Sequence, residues 1–251
     1  MDRIREAAAA HGASFGSWIS SSDPAIIELV GKAGYDWVIL DTQHGAIGWD
    51  GLLPALQALD LSGTRALVRV GWTDPAQIMR ALDLGAVGVV VPMVSNGEQA
   101  RIAARATRYP PHGERSFGPV RNYYAQPGSA APEPLCFVMI ETEEALQHLD
   151  EIAATPGIDG LFVGPVDMGL ALGLGIKLQM PAEVFDACDQ VIAACMRHGK
   201  IPGCATLGSA NAEALMKRGM QFLTLGSDMG LIRRGAAADV AQIRAWTGRD
   251  N

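Results

Sequence analysis

Short apolar runs rich in Val, Ile and Leu alternate along the chain with longer stretches whose apolar positions recur at helical spacing. The runs predict strands at Ser14–Ile19, Trp37–Asp41, Ala66–Val70, Gly88–Met93, Cys136–Glu141, Gly160–Gly164, Pro202–Thr206 and Phe222–Gly226. Helices are predicted at Pro24–Ala33, Gly51–Leu59, Pro75–Leu84, Gly97–Arg108, Glu143–Ala154, Ala182–His198, Ala210–Arg218 and Leu231–Trp246. Strands without alternation, separated by helices, make a parallel sheet covered on its outer face. Eight such units in order predict an α/β fold, a single (β/α)8 TIM barrel over residues 1–251. The other architecture built from these units is an open doubly wound sheet, but no GxGxxG follows the first strand.

Punctuation agrees with the periodicity. Asp23-Pro24 and Asp74-Pro75 place a capping side chain before a proline suited to the first helical position. Gly34, Gly85, Gly157, Gly199 and Gly219 follow helical stretches, where a left-handed terminal residue is wanted. One connection breaks the rhythm. Tyr109 to Pro134 contains six prolines and three glycines, far more chain than such connections use. Its Arg115, Arg121, Phe117, Tyr123 and Tyr124 suggest an ordered lid over the active-site end, or a subunit contact.

Composition narrows the classes. Of 251 residues, 49% are hydrophobic and 19% charged, which suits a soluble protein with a large core. The formal charge of −7 argues against nucleic acid or an anionic membrane as the main partner, since both need a basic patch. The opening MDRIREAAAAHGAS does not read as a secretion signal, and no run of ~18 uncharged apolar residues spans a membrane. Cys136, Cys188, Cys195 and Cys204 form no CxxC pair and are expected as buried free thiols in a cytoplasmic protein.

In such a barrel the chemistry sits at the C-terminal ends of the strands. Those ends carry Asp41 with His44 just beyond, Arg69, Glu141, and Asp167 in Gly164-Pro165-Val166-Asp167. Glu141 and Asp167 are hard oxygen donors from neighbouring strands, a pair suited to Mg²⁺ or Mn²⁺, with Co²⁺ or Zn²⁺ as substitutes. Glu141 is equally explained as an acid at a helix start, with Thr142 and Glu143 following. His44, beside Gly45 and Gly48, is either a surface-loop histidine or an acid/base whose ring Asp41 orients. Arg69 either pairs structurally with Asp41 or Asp83, or faces an oxygen where negative charge develops.

Longer motifs carry a resemblance. Gly34-Tyr35-Asp36-Trp37 with Asp41-Thr42-Gln43-His44, Leu82-Asp83-Leu84-Gly85-Ala86, Val91-Pro92-Met93-Val94, Thr107-Arg108-Tyr109-Pro110-Pro111, Glu141-Thr142, Pro156-Gly157-Ile158-Asp159-Gly160 and Gly164-Pro165-Val166-Asp167 resemble the HpcH/HpaI aldolase family, in order and over nearly the whole chain. The resemblance implies a class II, metal-dependent pyruvate aldolase. Such an enzyme adds pyruvate or hydroxypyruvate reversibly to an aldehyde, giving a 4-hydroxy-2-oxo acid. It implies Glu141 and Asp167 as ligands of a divalent cation that chelates the donor, and Arg69 as the group facing the enolate oxygen. It implies His44 with Asp41 as the acid/base, and Asp83 as a further acid near a subunit interface. Backbone N–H groups of Val166 and Asp167, after Gly164-Pro165 at the start of the following helix, would hold the substrate carboxylate. A homohexamer, a trimer of dimers exchanging its C-terminal helix at Leu231–Trp246, is also implied.

Two departures stand out. Many members have Glu where this chain has Gln43, and Gln where it has Met139. Both bear on the donor accepted more than on the reaction. A related lyase acting on a CoA thioester would want basic residues for the CoA phosphates, and no such cluster is evident. A non-catalytic barrel would be expected to have lost some of the polar strand ends, and all are present.

Overall fold

In the computed structural model the strands β1 (Ser14–Ile19), β2 (Trp37–Asp41), β3 (Arg65–Arg69), β4 (Gly88–Val91), β5 (Leu135–Ile140), β6 (Gly160–Val163), β7 (Ile201–Cys204) and β8 (Phe222–Ser227) pair in chain order, and β8 closes on β1. Every pairing is parallel. The structure describes residues 10, 12–118, 121, 124, 133–177, 179–206 and 208–247. Among them are helices α1 (Pro24–Gly31), α2 (Trp49–Ser62), α3 (Pro75–Asp83), α4 (Gly97–Thr107), α5 (Glu143–Gln147), α6 (Leu149–Ala154), α7 (Pro165–Ala171), α8 (Ala182–His198), α9 (Ser209–Arg218) and α10 (Asp228–Thr247). The expected (β/α)8 barrel is therefore the fold.

Two apolar layers hold it. The larger lies between the outer barrel face and the helices, with Val38, Leu40, Val68, Val89 and Val138 meeting Leu52, Leu56, Ile78, Ala100 and Val191. The smaller fills the barrel itself, with Trp37, Ile39, Leu67, Phe137, Met139, Phe162 and Phe222. Trp37 stacks on Phe222 with centroids 3.6 Å apart, and Phe137 stacks on the other side at 4.4 Å. Rings this large fit only because a facing strand gives way. A Cβ on Gly16 would lie 2.2 Å from the Trp37 ring, and one on Gly160 would lie 2.3 Å from Phe137. Trp37 and Phe222 begin their strands, so the rings plug the N-terminal end. The open end is the one where strands finish.

The punctuation lies where the sequence placed it. Asp23 accepts from the Ala25 N–H at 2.8 Å, Asp74 accepts from the Ala76 N–H at 2.9 Å, and a proline opens each helix. The five expected glycines all have positive φ. The predicted helix Glu143–Ala154 is instead two short helices, with His148 as a non-helical joint between them. There its ring Nδ1 lies 3.2 Å from the Ser95 carbonyl and 3.0 Å from that of Glu144. Helix α7, right after β6, is absent from the helical stretches read from periodicity, and its start is where the resemblance implied helical N–H groups at Val166 and Asp167.

The described residues of the long connection, 109–118, 121, 124, 133 and 134, do not lie over the open end. The connection joins the end of α4 to the start of β5, so it belongs to the plugged face. Its contacts agree. Arg115 Nη2 bonds Asp83 at 2.7 Å and its guanidinium lies over Tyr109 at 4.7 Å. Arg121 pairs with Asp60 and reaches the Leu84 carbonyl at 3.4 Å. Phe117 and Tyr124 are exposed, and Tyr123 lies outside the described residues. The lid expectation is thus corrected: a helix-to-strand connection returns the chain to the face opposite the strand ends.

Candidate active site

Asp41 and Arg69 end β2 and β3 and are direct partners across the ladder. Both are buried, and they form a two-pronged ion pair: Arg69 Nε donates to Asp41 Oδ1 at 2.9 Å, and Nη2 donates to Oδ2 at 2.6 Å. Trp18 Nε1 donates to Oδ2 at 3.1 Å, and the backbone N–H groups of Gln43 and His44 donate to Oδ1 at 3.0 and 3.3 Å. Burial alone would raise the Asp41 carboxyl, but Arg69, Trp18 and the Gln43 N–H together bring it below its ordinary value. The pairing of Arg69 with Asp41 is the first of the alternatives open in the sequence. The orienting role given to Asp41 is different from the one expected. It receives the His44 backbone N–H, and no bond joins it to the His44 ring, which is exposed in the loop beyond β2.

Pairing does not consume Arg69. Nε and Nη2 face Asp41, while Nη1 makes no hydrogen bond among the described residues. One corner of a buried guanidinium is thus left for an anionic oxygen.

Glu141 directly follows β5 and is buried. It is not a helix-start acid. Thr142 is the cap, its hydroxyl accepting from the Ala145 N–H at 3.0 Å, and Glu141 precedes it. Glu141 Oε1 instead accepts the Met93 N–H at 2.7 Å. Met93, just beyond β4, holds φ at 56°, a left-handed conformation uncommon for a residue with a side chain. Oε2 lies on the side of Gly164, where an added Cβ would be 2.4 Å from it. Burial pushes the Glu141 carboxyl up to about 7; the Met93 N–H opposes this, the Asp167 charge adds to it, and Arg69 opposes it.

Asp167 lies in the first turn of α7, exposed at the mouth. The first internal bond of this helix runs from the Met168 N–H to the Gly164 carbonyl, at 2.9 Å. The N–H groups of Val166 and Asp167 precede it and have no partner within the helix. A buried carboxylate beside a second, exposed one is a donor set suited to a hard divalent cation completed by water and substrate oxygens. Among the described residues no group of three or more His, Cys, Asp or Glu is placed to hold a metal ion, so Glu141 and Asp167 stand as a pair.

Asp41, His44, Arg69, Glu141 and Asp167 therefore share the open end. Asp83 does not. It ends α3, which runs back from the mouth, and it pairs with Arg115 on the plugged face. Within one chain it cannot reach the other acids, because the helix carries it the length of the barrel away. Trp18 and the Met93 N–H are the site groups that sequence reasoning missed. An aromatic in an apolar strand reads as core, and a backbone donor leaves no mark in residue types. The only available signal for Met93 was its place after Pro92 at a strand end.

Comparison with known proteins places the chain in a family. Residues 14–235 match the family model described as HpcH/HpaI aldolase/citrate lyase. The chain is 36% identical over 241 residues to a 5-keto-4-deoxy-D-glucarate aldolase of Klebsiella pneumoniae, covering 92% of this chain and 93% of that one. It is 36% identical over 261 residues to a 4-hydroxy-2-oxo-heptane-1,7-dioate aldolase of the same organism, covering 99% and 97%. A solved structure of an HpcH/HpaI aldolase/citrate lyase family protein from Burkholderia cenocepacia superposes with a TM-score of 0.87 at 27% identity, covering 97% of this chain and 100% of that one. With the matched segment running from the first strand into the last helix, and the strand-end acids within it, the chain belongs to the HpcH/HpaI aldolase/citrate lyase family.

Proposed function

We propose that the chain is a divalent-cation-dependent aldolase that joins the enolate of pyruvate or hydroxypyruvate to an aldehyde, reversibly, giving a 4-hydroxy-2-oxo acid. The observation that carries this reading is Glu141, a buried carboxyl held by the Met93 N–H and acted on by the charges of Asp167 and Arg69. Two acids at one mouth are costly unless a cation lies between them. The names of the two Klebsiella relatives, both aldolases, support the reaction class.

Glu141 and Asp167 are the residues that would hold Mg²⁺ or Mn²⁺, and their oxygens also admit Co²⁺ or Zn²⁺. The cation, when bound, supplies Lewis-acid polarisation of the 2-oxo carbonyl. The chain's own groups do the rest. The N–H groups of Val166 and Asp167, aimed by the Gly164-Pro165 turn, bind the donor carboxylate. Nη1 of Arg69 faces the 2-oxo oxygen, where charge grows as the His44 ring takes a proton from C3 of the donor. In the cleavage direction a ring nitrogen of His44 takes the 4-hydroxyl proton while the C3–C4 bond breaks. In the addition direction it returns that proton to the aldehyde oxygen. Asp41 acts by fixing Arg69 and the loop that carries His44. The apolar floor around Met139 and Phe162 excludes water beneath the donor. We further propose that copies of the chain associate through α10, whose Leu231, Ile232, Val240, Ile243 and Trp246 are exposed in a single chain.

The test is exchange of pyruvate methyl protons with D2O, followed by NMR. Exchange should need added Mn²⁺ or Mg²⁺, stop on chelation, and fall to background in Glu141→Ala and Asp167→Ala. Undiminished exchange in cation-stripped protein would overturn the reading.

A further inference from the structure

Trp18 occupies the last inward-facing position of β1, between Ser17 and Ile19, which face outward. The β1–β8 ladder loses register just there: Gly16 lies opposite Thr224, but Trp18 lies opposite Ser227. The extra residue lies in β8, so β1 keeps its alternation through Trp18. As the last inward residue of β1, one inward position beyond Gly16, Trp18 sits on the strand-end side of the inner apolar layer.

Three contacts then define the indole. Its ring packs against Phe162 at a tilt of 33°, with centroids 6.1 Å apart. Its face carries the Arg69 guanidinium, whose Cζ is 4.6 Å from the ring centroid. Its Nε1–H bonds Asp41 Oδ2, the oxygen that also takes Arg69 Nη2. Carboxylate and guanidinium are thus both gripped by one rigid ring. An ion pair alone fixes two nitrogens of Arg69 but leaves its plane free to tilt about the pair. An aromatic face beneath the guanidinium removes that freedom.

We propose that Trp18 is a positioning residue for Arg69: indole face and indole N–H together lock the plane of the Arg69–Asp41 pair, so that Nη1 points at the oxygen where charge develops. This rests on the role given to Arg69 above. The indole N–H is a donor only, so it matches a carboxylate and could not serve a cation. Phe at position 18 keeps the face and loses the donor, whereas Leu loses both.

The experiment uses the full chain saturated with Mn²⁺, and reads kcat and KM for pyruvate proton exchange. Trp18→Phe and Trp18→Leu are made in the natural sequence and in Arg69→Lys. A charged hydrogen bond lost from the pair predicts about a tenfold fall in kcat for Trp18→Phe. A guanidinium free to drift predicts about a 10²-fold fall for Trp18→Leu. KM should stay within about threefold, since the lost interaction forms as charge develops. In Arg69→Lys, neither Trp18 change should lower kcat further, because the plane it held is gone. Equal losses in both backgrounds, or full activity of both Trp18 variants, would show the ring to be packing only and overturn the proposal. Wild-type kcat in Arg69→Lys alone would instead overturn the role of Arg69 itself. If Trp18→Leu does not fold, the Trp18→Phe cycle decides, with thermal melts confirming that its partners are folded.

Discussion

Asp41 is surrounded by five donors: two from Arg69, one from Trp18, and the backbone N–H groups of Gln43 and His44. Its charge matters to stability as well as to the site. Breaking a buried pair on one side leaves the other charge uncompensated. Asp41→Asn should therefore cost about 3–5 kcal/mol at neutral pH, read from denaturant unfolding. The folded carboxyl is held below the ordinary 3.8, so its contribution is present above that value and lost as pH falls through the lower folded one. The gap between natural and Asp41→Asn proteins should close only on strong acidification. A gap unchanged across that range would remove the ion pair as its cause. The position of Asp41 was legible in the sequence, since a strand ended there. Its partner was not settled, because residues three apart in a turn bring a backbone N–H to the carboxylate more readily than a ring. The same limit hid Trp18, whose partners come from β2 and β3 and are visible only once the barrel closes.

At the scale of elements, the legible features are those written locally. Helices whose Asp and Pro stood at the start, and whose Gly stood at the end, appear with bounds close to those read from the sequence. The features lost were set by neighbours. The joint at His148 follows from its contact with the Ser95 carbonyl, on a different unit of the barrel. The long connection was misplaced for a topological reason: its residues look functional, but its parity, helix before and strand after, assigns it to the plugged face. Asp74 tests the local rule. Its Oδ1 caps the Ala76 N–H, and its Oδ2 accepts from Gln77 Nε2 at 3.2 Å, while Gln77 in turn takes the Gly71 N–H at 2.9 Å. Asp74→Ala should lower stability by about 1 kcal/mol, or somewhat more if the Gln77 bridge is lost with it. A thermal or denaturant midpoint unmoved by the change would mean that solvent replaces the cap at no cost.

The whole molecule poses one question that the barrel does not answer, which is why α10 exists in the form it has. The helix is 20 residues long, and only Asp228, at its root, is buried. That root is firmly held. Asp228 Oδ1 accepts from the Ser20 N–H at 3.1 Å and Oδ2 from the Ser21 N–H at 2.8 Å, tying the helix start to the loop after β1. Ser20 in turn accepts the Ala46 N–H at 2.8 Å, from the loop that carries His44. So the direction of α10 is fixed next to the site, yet its apolar side chains, Trp246 among them at 73% exposure, stay exposed among the described residues. Side chains of this size left in water forgo roughly 1.5–3 kcal/mol each, and a surface of several is the mark of an interface. Ile232→Glu with Ile243→Glu should therefore lower the mass measured by light scattering, with the far-ultraviolet spectrum of the barrel retained. A natural protein already monomeric by that measurement would refute association through α10.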